Sequence, residues 1–376
     1  MFIAFIASVL FIIYVYLGYP MLLWIFTRDI DKEYPDIAYQ GDISVVMVVC
    51  NEAKNICKKI DNLKELSYRG GDLRFIIVDD CSDDNTLELI AASGFDCTLL
   101  KSLERKGKAS GINLAMKNVT TELVTLIDCR QELELQAIEH LSSWFEARSK
   151  FGAVSGELKF RTKNGNDFSE AMDGYWRYEK FIRKSEALLS SVPGVSGALY
   201  MLRTDAFEEI PETTLLDDVL IPMIACKKGY KVGFDDRAVA WDVPSSSSEN
   251  EKRRKIRTLS GNYQLLFRNP MWVLPTGHPI WWQFFSHKIA RLMVPLVFIL
   301  SVILSIILSI GGVVYAQFYI VLGLSVLLML CVNNKYLGNI GSKLKKLIIS
   351  FCILNWFCLL ALFQFFKLNK SGAWSK

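Results

Sequence analysis

Carboxylates and amides gather where short apolar runs stop. Asn51 and Glu52 follow residues 43–50, Asp79 and Asp80 close residues 74–79, and Asp128 follows residues 123–127. Such β-branched apolar runs predict buried strands. Polar side chains just past strand carboxyl ends stand where open α/β sheets bind ligands. The plain alternative for Asp79-Asp80-Cys81-Ser82-Asp83 is turn chemistry, in which these side chains bond their own backbone. Cations complete the set. Lys106-Gly107-Lys108 places positive charge and backbone N–H groups at a predicted helix start, a setting that holds a diphosphate or is simply a solvated basic turn. It is no P-loop, because the upstream glycine and the following hydroxyl residue are absent. Arg130 carries a guanidinium suited to bidentate phosphate contact. Arg254 and Arg257 share one helix face. They reach a diphosphate or a lipid phosphate, or they form a solvated basic helix near anionic headgroups. Asp217 and Asp218 precede Val219-Leu220-Ile221-Pro222, where acidic residues also serve a helix N-terminus. The histidines His140, His278 and His287 are too scattered for a His-based metal site.

Regular elements must hold these residues. Residues 51–66, 83–92, 107–117 and 134–148 have helical spacing, with Ser82 or Asp83 a cap for the second, and residues 97–100 form a further short strand. This alternation of strand and helix predicts an α/β fold with a doubly wound, largely parallel sheet. Residues 175–183 predict an amphipathic helix, to which packing alone assigns no chemistry.

The bulk numbers point to a membrane. Of the 376 residues, 51% are hydrophobic, and the mean hydropathy is +0.25. Net charge is only +4, so no concentrated basic face for nucleic acid is implied. The nine cysteines form no C-x-x-C pair and lie mostly in apolar runs, as buried free thiols in a reducing compartment do. Residues 2–26 are almost uninterruptedly apolar, near the ~20 residues a crossing needs. They lack a basic lead and a clear cleavage site, which predicts an uncleaved anchor. Further apolar runs cover residues 292–315, 318–332 and 347–366, the middle one short enough to leave a re-entrant hairpin open. Arg28, Lys32 and the basic loop 333–346 place residues 28–290 on the cytosolic side by the positive-inside rule, and the lysine-bearing tail counts the other way. Clustered Trp and Phe at 271–291 predict a segment lying at headgroup level. The expected organisation is an anchor at 1–27, a catalytic domain at 28–270, an interfacial segment at 271–291 and C-terminal membrane helices with a tail at 292–376.

Several short motifs, taken in order, resemble one family. They are Cys50-Asn51-Glu52, Val78-Asp79-Asp80, Lys106-Gly107-Lys108 through Asn113, Ile127-Asp128-Cys129-Arg130-Gln131, Val154-Ser155-Gly156-Glu157, Gly194-Val195-Ser196-Gly197 and Leu216-Asp217-Asp218. Over roughly residues 42–268 the chain resembles the family 2 glycosyltransferases of the GT-A fold, in particular membrane-bound bacterial members. The resemblance implies that Asp80, with Glu52 and Asn51 nearby, receives the nucleotide base. It implies that Lys108, Asp128 and Arg130 lie at the donor, and that Gly197, Arg254 and Arg257 lie at the acceptor or diphosphate. It implies that Asp218, with Asp217, takes the proton of the attacking hydroxyl in an inverting transfer, while the departing charge is met on the opposite side.

Two departures matter. The family's Asp-x-Asp, which holds Mg²⁺ or Mn²⁺, is Asp128-Cys129-Arg130 here. Either Asp128 binds the metal with other ligands, or Arg130 neutralises the diphosphate itself. The Gln-x-x-Arg-Trp of processive synthases aligns with Arg254 and Arg257, with Thr258 in place of Trp. The resulting expectation is transfer from a nucleoside-diphosphate sugar, a UDP-sugar first, to a lipid-linked or saccharide acceptor at the cytoplasmic membrane, with the bilayer as the other partner and no nucleic acid. A processive polysaccharide synthase and a catalytically silent scaffold are the competitors. A nucleotidyltransferase would show a Gly-rich basic loop after the first strand, where Asn51-Glu52 stands.

Overall fold

The computed structural model describes residues 1–37, 39–147, 150–161, 167–243, 248–331 and 338–371. One sheet organises them: β1 Ile43–Val49, β2 Leu73–Asp79, β3 Thr98–Lys101, β4 Leu123–Ile127, β5 Glu132–Leu133, β6 Phe151–Phe160, β7 Leu199–Arg203 and β8 Lys231–Asp242. Their order is β3-β2-β1-β4-β7-β6-β8-β5. From β3 to β4 the pairing is parallel, so these strands all end on one edge. Strand β7 runs antiparallel to both β4 and β6. It enters from the opposite end and brings residues 194–198 back to the edge where β4 stops, with the Asp128 N–H reaching the Ala198 carbonyl at 3.4 Å.

Side chains alternate across each strand, so β1 feeds two cores. Val46 lies with Ile76, Ile112, Leu126 and Leu220 on one face, and Val45 and Met47 lie with Ile60, Ile138 and Leu141 on the other. The helices of these faces include α3 Ile56–Lys64, α4 Thr86–Ala92, α5 Lys108–Met116, α6 Ala137–Ala147, α7 Asp167–Leu189, α8 Asp217–Lys227 and α9 Ser248–Arg268. The first core continues through Tyr263 of α9 into Phe284, Leu292, Cys358 and Phe365. The sheet domain and the apolar helices therefore share one hydrophobic cluster.

Among the described residues, three helical runs are long and apolar enough to cross a bilayer: Phe2–Thr27, Trp281–Ile310 and Ile348–Lys367. The first comprises α1 Phe2–Ile13, a π turn and α2 Tyr19–Thr27. The second runs through α10 Trp281–Gln283, a π turn at Phe284–Ile289 and α11 Ala290–Ile310. Helix α12 Val314–Cys331 is apolar but its Val314–Val326 stretch is shorter, and α13 Gly338–Ser371 carries the third run. The expected segment at 271–291 is continuous with the second run from Trp281, and its Trp272, Ile280 and Phe284 are core residues. Of the regions weighed for topology, residues 333–337 of the basic loop and 372–376 of the tail lie outside the described residues.

A buried ionic cluster ties membrane helices to the domain. His287 meets Glu186 through Nδ1 at 2.9 Å and Glu179 through Nε2 at 2.6 Å. A carboxylate thus stands at each ring nitrogen. Tyr19 of α2 donates to Glu186 at 2.5 Å, and Arg291 of α11 donates to Glu179 at 2.9 Å. Every ionic group of this cluster is paired, which is what makes buried charge tolerable.

Candidate active site

The loops after β1 and β2 are laced together. Asn51 sits in the left-handed region at φ 58°. Its N–H donates to Ser82 Oγ at 2.9 Å, and its Oδ1 accepts the Asp83 N–H at 2.8 Å. The Glu52 N–H donates to Thr86 Oγ1 at 2.9 Å, and Glu52 accepts from Asn55 Nδ2 at 2.6 Å. Asp80 is 3% exposed. Its two carboxylate oxygens accept the N–H groups of Lys106 at 2.9 Å and Gly107 at 2.8 Å. Gly107 has φ +92°, a conformation that favours glycine, and it begins α5. The 106–108 turn thus commits its backbone donors to Asp80, which fixes where the Lys108 side chain starts.

Lys108 reaches the end of β4. Its Nζ lies 2.7 Å from Asp128 Oδ1 and 3.5 Å from Asp217 Oδ2. Burial opposes its charge, but Asp128 and Asp217 outweigh burial and hold the ammonium above its ordinary range. Asp217 and Asp218 are the first residues of α8. Asp217 is 6% exposed, and its Oδ2 has no hydrogen bond among the described residues beyond that ionic approach. Burial, then the Asp217 charge, push the Asp218 carboxyl up to about 6, against the pull of Lys108 and Lys288. A carboxylate of that pKa is suited to proton abstraction near neutrality.

Gly197 keeps a gap between the Asp218 carboxylate and the Lys108 ammonium. A Cβ there would lie 3.5 Å from Asp218 Oδ2 and 3.6 Å from Lys108 Nζ. Those are ordinary contacts, so Gly197→Ala is expected to fold while its methyl intrudes on the space beside both groups. We expect an unfolding temperature close to that of the unsubstituted chain and a fall of about 10²-fold in kcat/KM, the scale of a small misplacement at a reacting centre.

Arg130 pairs with Asp242 and has no ion pair with Asp128 among the described residues. It forms a two-pronged pair with Asp242 at the end of β8, Nε to Oδ1 at 3.1 Å and Nη2 to Oδ2. Gln131 Nε2 also donates to Asp242 Oδ2 at 2.9 Å, and Arg254 Nη2 approaches that oxygen at 4.0 Å. Beneath them, Lys59 donates to the Gln131 carbonyl at 2.6 Å, and burial pushes its ammonium down to about 8. Burial pushes the Cys129 thiol up to about 12. The sequence carries no signal for Asp242, because a lone acid after Trp241 has no informative spacing. It carries none for Tyr200 either. That hydroxyl is buried without a hydrogen-bond partner among the described residues, and burial and the three aspartates hold it well above its usual range. Asp242 bridges Arg130 to α9, so Asp242→Ala is expected to release both guanidiniums. Donor KM should rise about tenfold with a smaller change in kcat, the scale of one charge-assisted bond.

The structure therefore brings Lys108, Asp128, Gly197, Asp217 and Asp218 together. It places Asn51, Glu52 and Asp80 in neighbouring loops and ties Arg130 and Arg254 to Asp242. Arg257 is exposed on α9, with no ion pair among the described residues. Of the two positions that carry acids in Asp-x-Asp, only Asp128 offers a carboxylate to a cation here. No group of three or more His, Cys, Asp or Glu converges among the described residues. An ammonium already faces Asp128, and the second acid of Asp-x-Asp is an arginine held by Asp242.

Comparison with known proteins agrees with this geometry. The pattern of Glycosyl transferase family 2 matches residues 44–211. Poly-beta-1,6-N-acetyl-D-glucosamine synthase of Staphylococcus aureus strain COL is 24% identical over 283 residues, covering 72% of this chain and 68% of the relative. The synthase of the same name from Staphylococcus epidermidis is 22% identical over 232 residues, covering 60% and 56%. Among solved structures, a mannosyltransferase from Pyrobaculum calidifontis, in complex with GDP-Man and Mn2+, aligns with a TM-score of 0.67 at 19% identity, over 94% of this chain and 99% of that one. Residues 44–211 thus form a family 2 glycosyltransferase domain with the sheet of the GT-A fold, in a chain that also carries apolar helices long enough to cross a membrane.

Proposed function

We propose that the chain transfers a sugar, with inversion, from a UDP-sugar to a lipid-linked or saccharide acceptor at the cytoplasmic membrane, its sheet domain in the cytosol. The observation that carries this reading is Asp218, a raised carboxyl, facing the Lys108 ammonium across the space that Gly197 leaves open. The acceptor oxygen attacks the anomeric carbon and its proton passes to Asp218. The bond from that carbon to the diphosphate oxygen breaks, and the electron pair leaves with the diphosphate. Lys108 meets that developing charge at once, because fixed cations in a dry site need no reorganisation. Arg130, Arg254 and Arg257 supply further positive charge, the first two positioned by Asp242. Asn51, Glu52 and Asp80 belong to the nucleotide end. Mn²⁺ is present with the Pyrobaculum enzyme; no step here is routed through a metal, and Asp128, whose Oδ1 already meets Lys108, is the residue that would hold one.

The test is turnover of a panel of UDP-, GDP- and TDP-sugars by detergent-purified protein, with and without EDTA, using membrane lipid extract as acceptor. UDP-sugar turnover that survives EDTA supports the reading. Turnover abolished by EDTA and restored by Mn²⁺ returns Asp128 to metal binding. Turnover with only soluble acceptors removes the lipid-linked one. Processive synthesis is the second reading, favoured by the staphylococcal synthases and opposed by Thr258 in the aromatic position. Size analysis of the product separates polymer from single addition.

A further inference from the structure

Asp218 has a second cation on its other flank. A Cβ built at Gly194 would lie 3.5 Å from the Asp218 carbonyl oxygen and 3.7 Å from Lys288 Cε. The Val195 N–H donates to the same Asp218 oxygen at 2.8 Å, so this loop is welded to the start of α8. Lys288 belongs to the π turn that leads into α11, within the run long enough to cross a bilayer. It forms no hydrogen bond or ion pair among the described residues. Arg183 of α7 lies on the same loop, with Nη2 donating to the Gly194 carbonyl at 3.1 Å and its guanidinium over the Phe234 ring at 5.5 Å. It too has no carboxylate partner among the described residues.

The nearby carboxylates are already used. Glu179 is taken by His287 and Arg291, and Glu186 by His287 and Tyr19. Lys288 feels the opposite charges of Glu179, Glu186 and Asp218 and the like charge of Arg183, without touching any of them as an ion pair. Two unpaired cations converging where the domain meets a membrane helix are costly unless an anion joins them. Their place also orders the ligand. Lys108 and Gly197 lie at the Asp218 carboxylate, whereas Lys288 and Gly194 lie at its backbone, on the side of the membrane helix.

We propose that Lys288 and Arg183 form an anion pocket beside Asp218 that takes the phosphate of a lipid-linked acceptor, with its hydrocarbon tail running along the helices into the bilayer. This rests on the transferase reading above and names the acceptor's chemical class. A phosphate there leaves the sugar next to it within reach of Asp218. The guanidinium and the ammonium each supply a charge-assisted bond, and Arg183 keeps donors beyond its Nη2, which serves Gly194 and Ser155.

The experiment is equilibrium binding of farnesyl phosphate to the full-length protein in neutral detergent, with UDP-sugar binding measured in parallel. Farnesol, inorganic phosphate, UDP and phosphatidylglycerol serve as competitors. The expected result is binding that none of the four displaces at equal concentration. It should weaken about tenfold or more in Lys288→Gln and in Arg183→Gln, on the scale of one charged hydrogen bond, and recover in Lys288→Arg. UDP-sugar binding should be retained throughout. Displacement by UDP would assign the cations to the donor diphosphate, and displacement by phosphatidylglycerol would assign them to bulk headgroups. Either outcome overturns the proposal, as does farnesyl phosphate binding indifferent to both glutamine variants. Loss of Lys288→Gln to misfolding, seen as a collapsed unfolding temperature, leaves Arg183→Gln and Lys288→Arg to decide. A protein that binds no UDP-sugar at all would instead sink the transferase reading.

Discussion

Asp218→Asn is expected to lower sugar transfer about 10³-fold, within the range that a positioned base contributes, without unfolding the chain. The amide keeps the shape of the side chain at the start of α8 but cannot take a proton. In the unsubstituted enzyme the acid limb of kcat/KM should fall near pH 6, where burial and the Asp217 charge place the Asp218 carboxyl. Stability should move the other way. A carboxyl raised in the folded state contributes stability that is present below its unfolded value and lost as pH rises through about 6. The asparagine variant escapes that loss, so it should melt at a higher temperature than the parent at pH 7.5. The difference should vanish towards pH 4. Parallel pH profiles of transfer and of unfolding temperature check both halves. A variant that loses activity and stability together would show a structural role instead.

Lys108→Met should cost about 10²- to 10³-fold in kcat/KM, the scale of deleting one preorganised donor at a developing anion. It should also leave a second signature. Lys108 pulls the Asp218 carboxyl down, and Asp128 and Asp217 lie against the same ammonium. With the cation gone, three carboxylates repel one another and the Asp218 carboxyl rises further. The acid limb must then move to higher pH, whereas a lysine that served only to bind the nucleotide would leave it in place. Lys108→Arg keeps the charge on a wider head, so it should return the limb towards its original position while restoring little of the rate. The readout is kcat/KM against pH for the three proteins with one donor. An unmoved limb in Lys108→Met would separate the lysine from the base.

Much of this is legible in the sequence. Apolar runs at 43–50, 74–79 and 123–127 announce β1, β2 and β4, because buried parallel strands have no polar face to confuse the signal. The polar residues past their ends can only lie at one edge of the sheet, so strand pattern alone gathers Asn51, Glu52, Asp80 and Asp128 into one site. Hydropathy likewise reveals helices of bilayer length, since their composition alone excludes water. Asp218 and Lys108 stand out through the order of short motifs, each of them weak alone.

Tertiary structure decides the rest, and the reason is sequence distance. Strand β7 sits between β4 and β6 and antiparallel to both, a pairing that no local period encodes. It is this insertion that delivers Gly197 to Lys108 and Asp218. By its position in the motif, Arg130 reads as a diphosphate ligand displacing the second acid of Asp-x-Asp. Its partner Asp242 lies 112 residues away, and a long-range ion pair leaves no mark on spacing. By composition, Lys288 reads as one more interfacial cation. Only packing shows it at Gly194, beside Asp218, with its neighbours His287 and Arg291 already paired. Local propensity and hydropathy set the elements and the sheet edge, whereas the choice of which charge meets which is made by the folded chain.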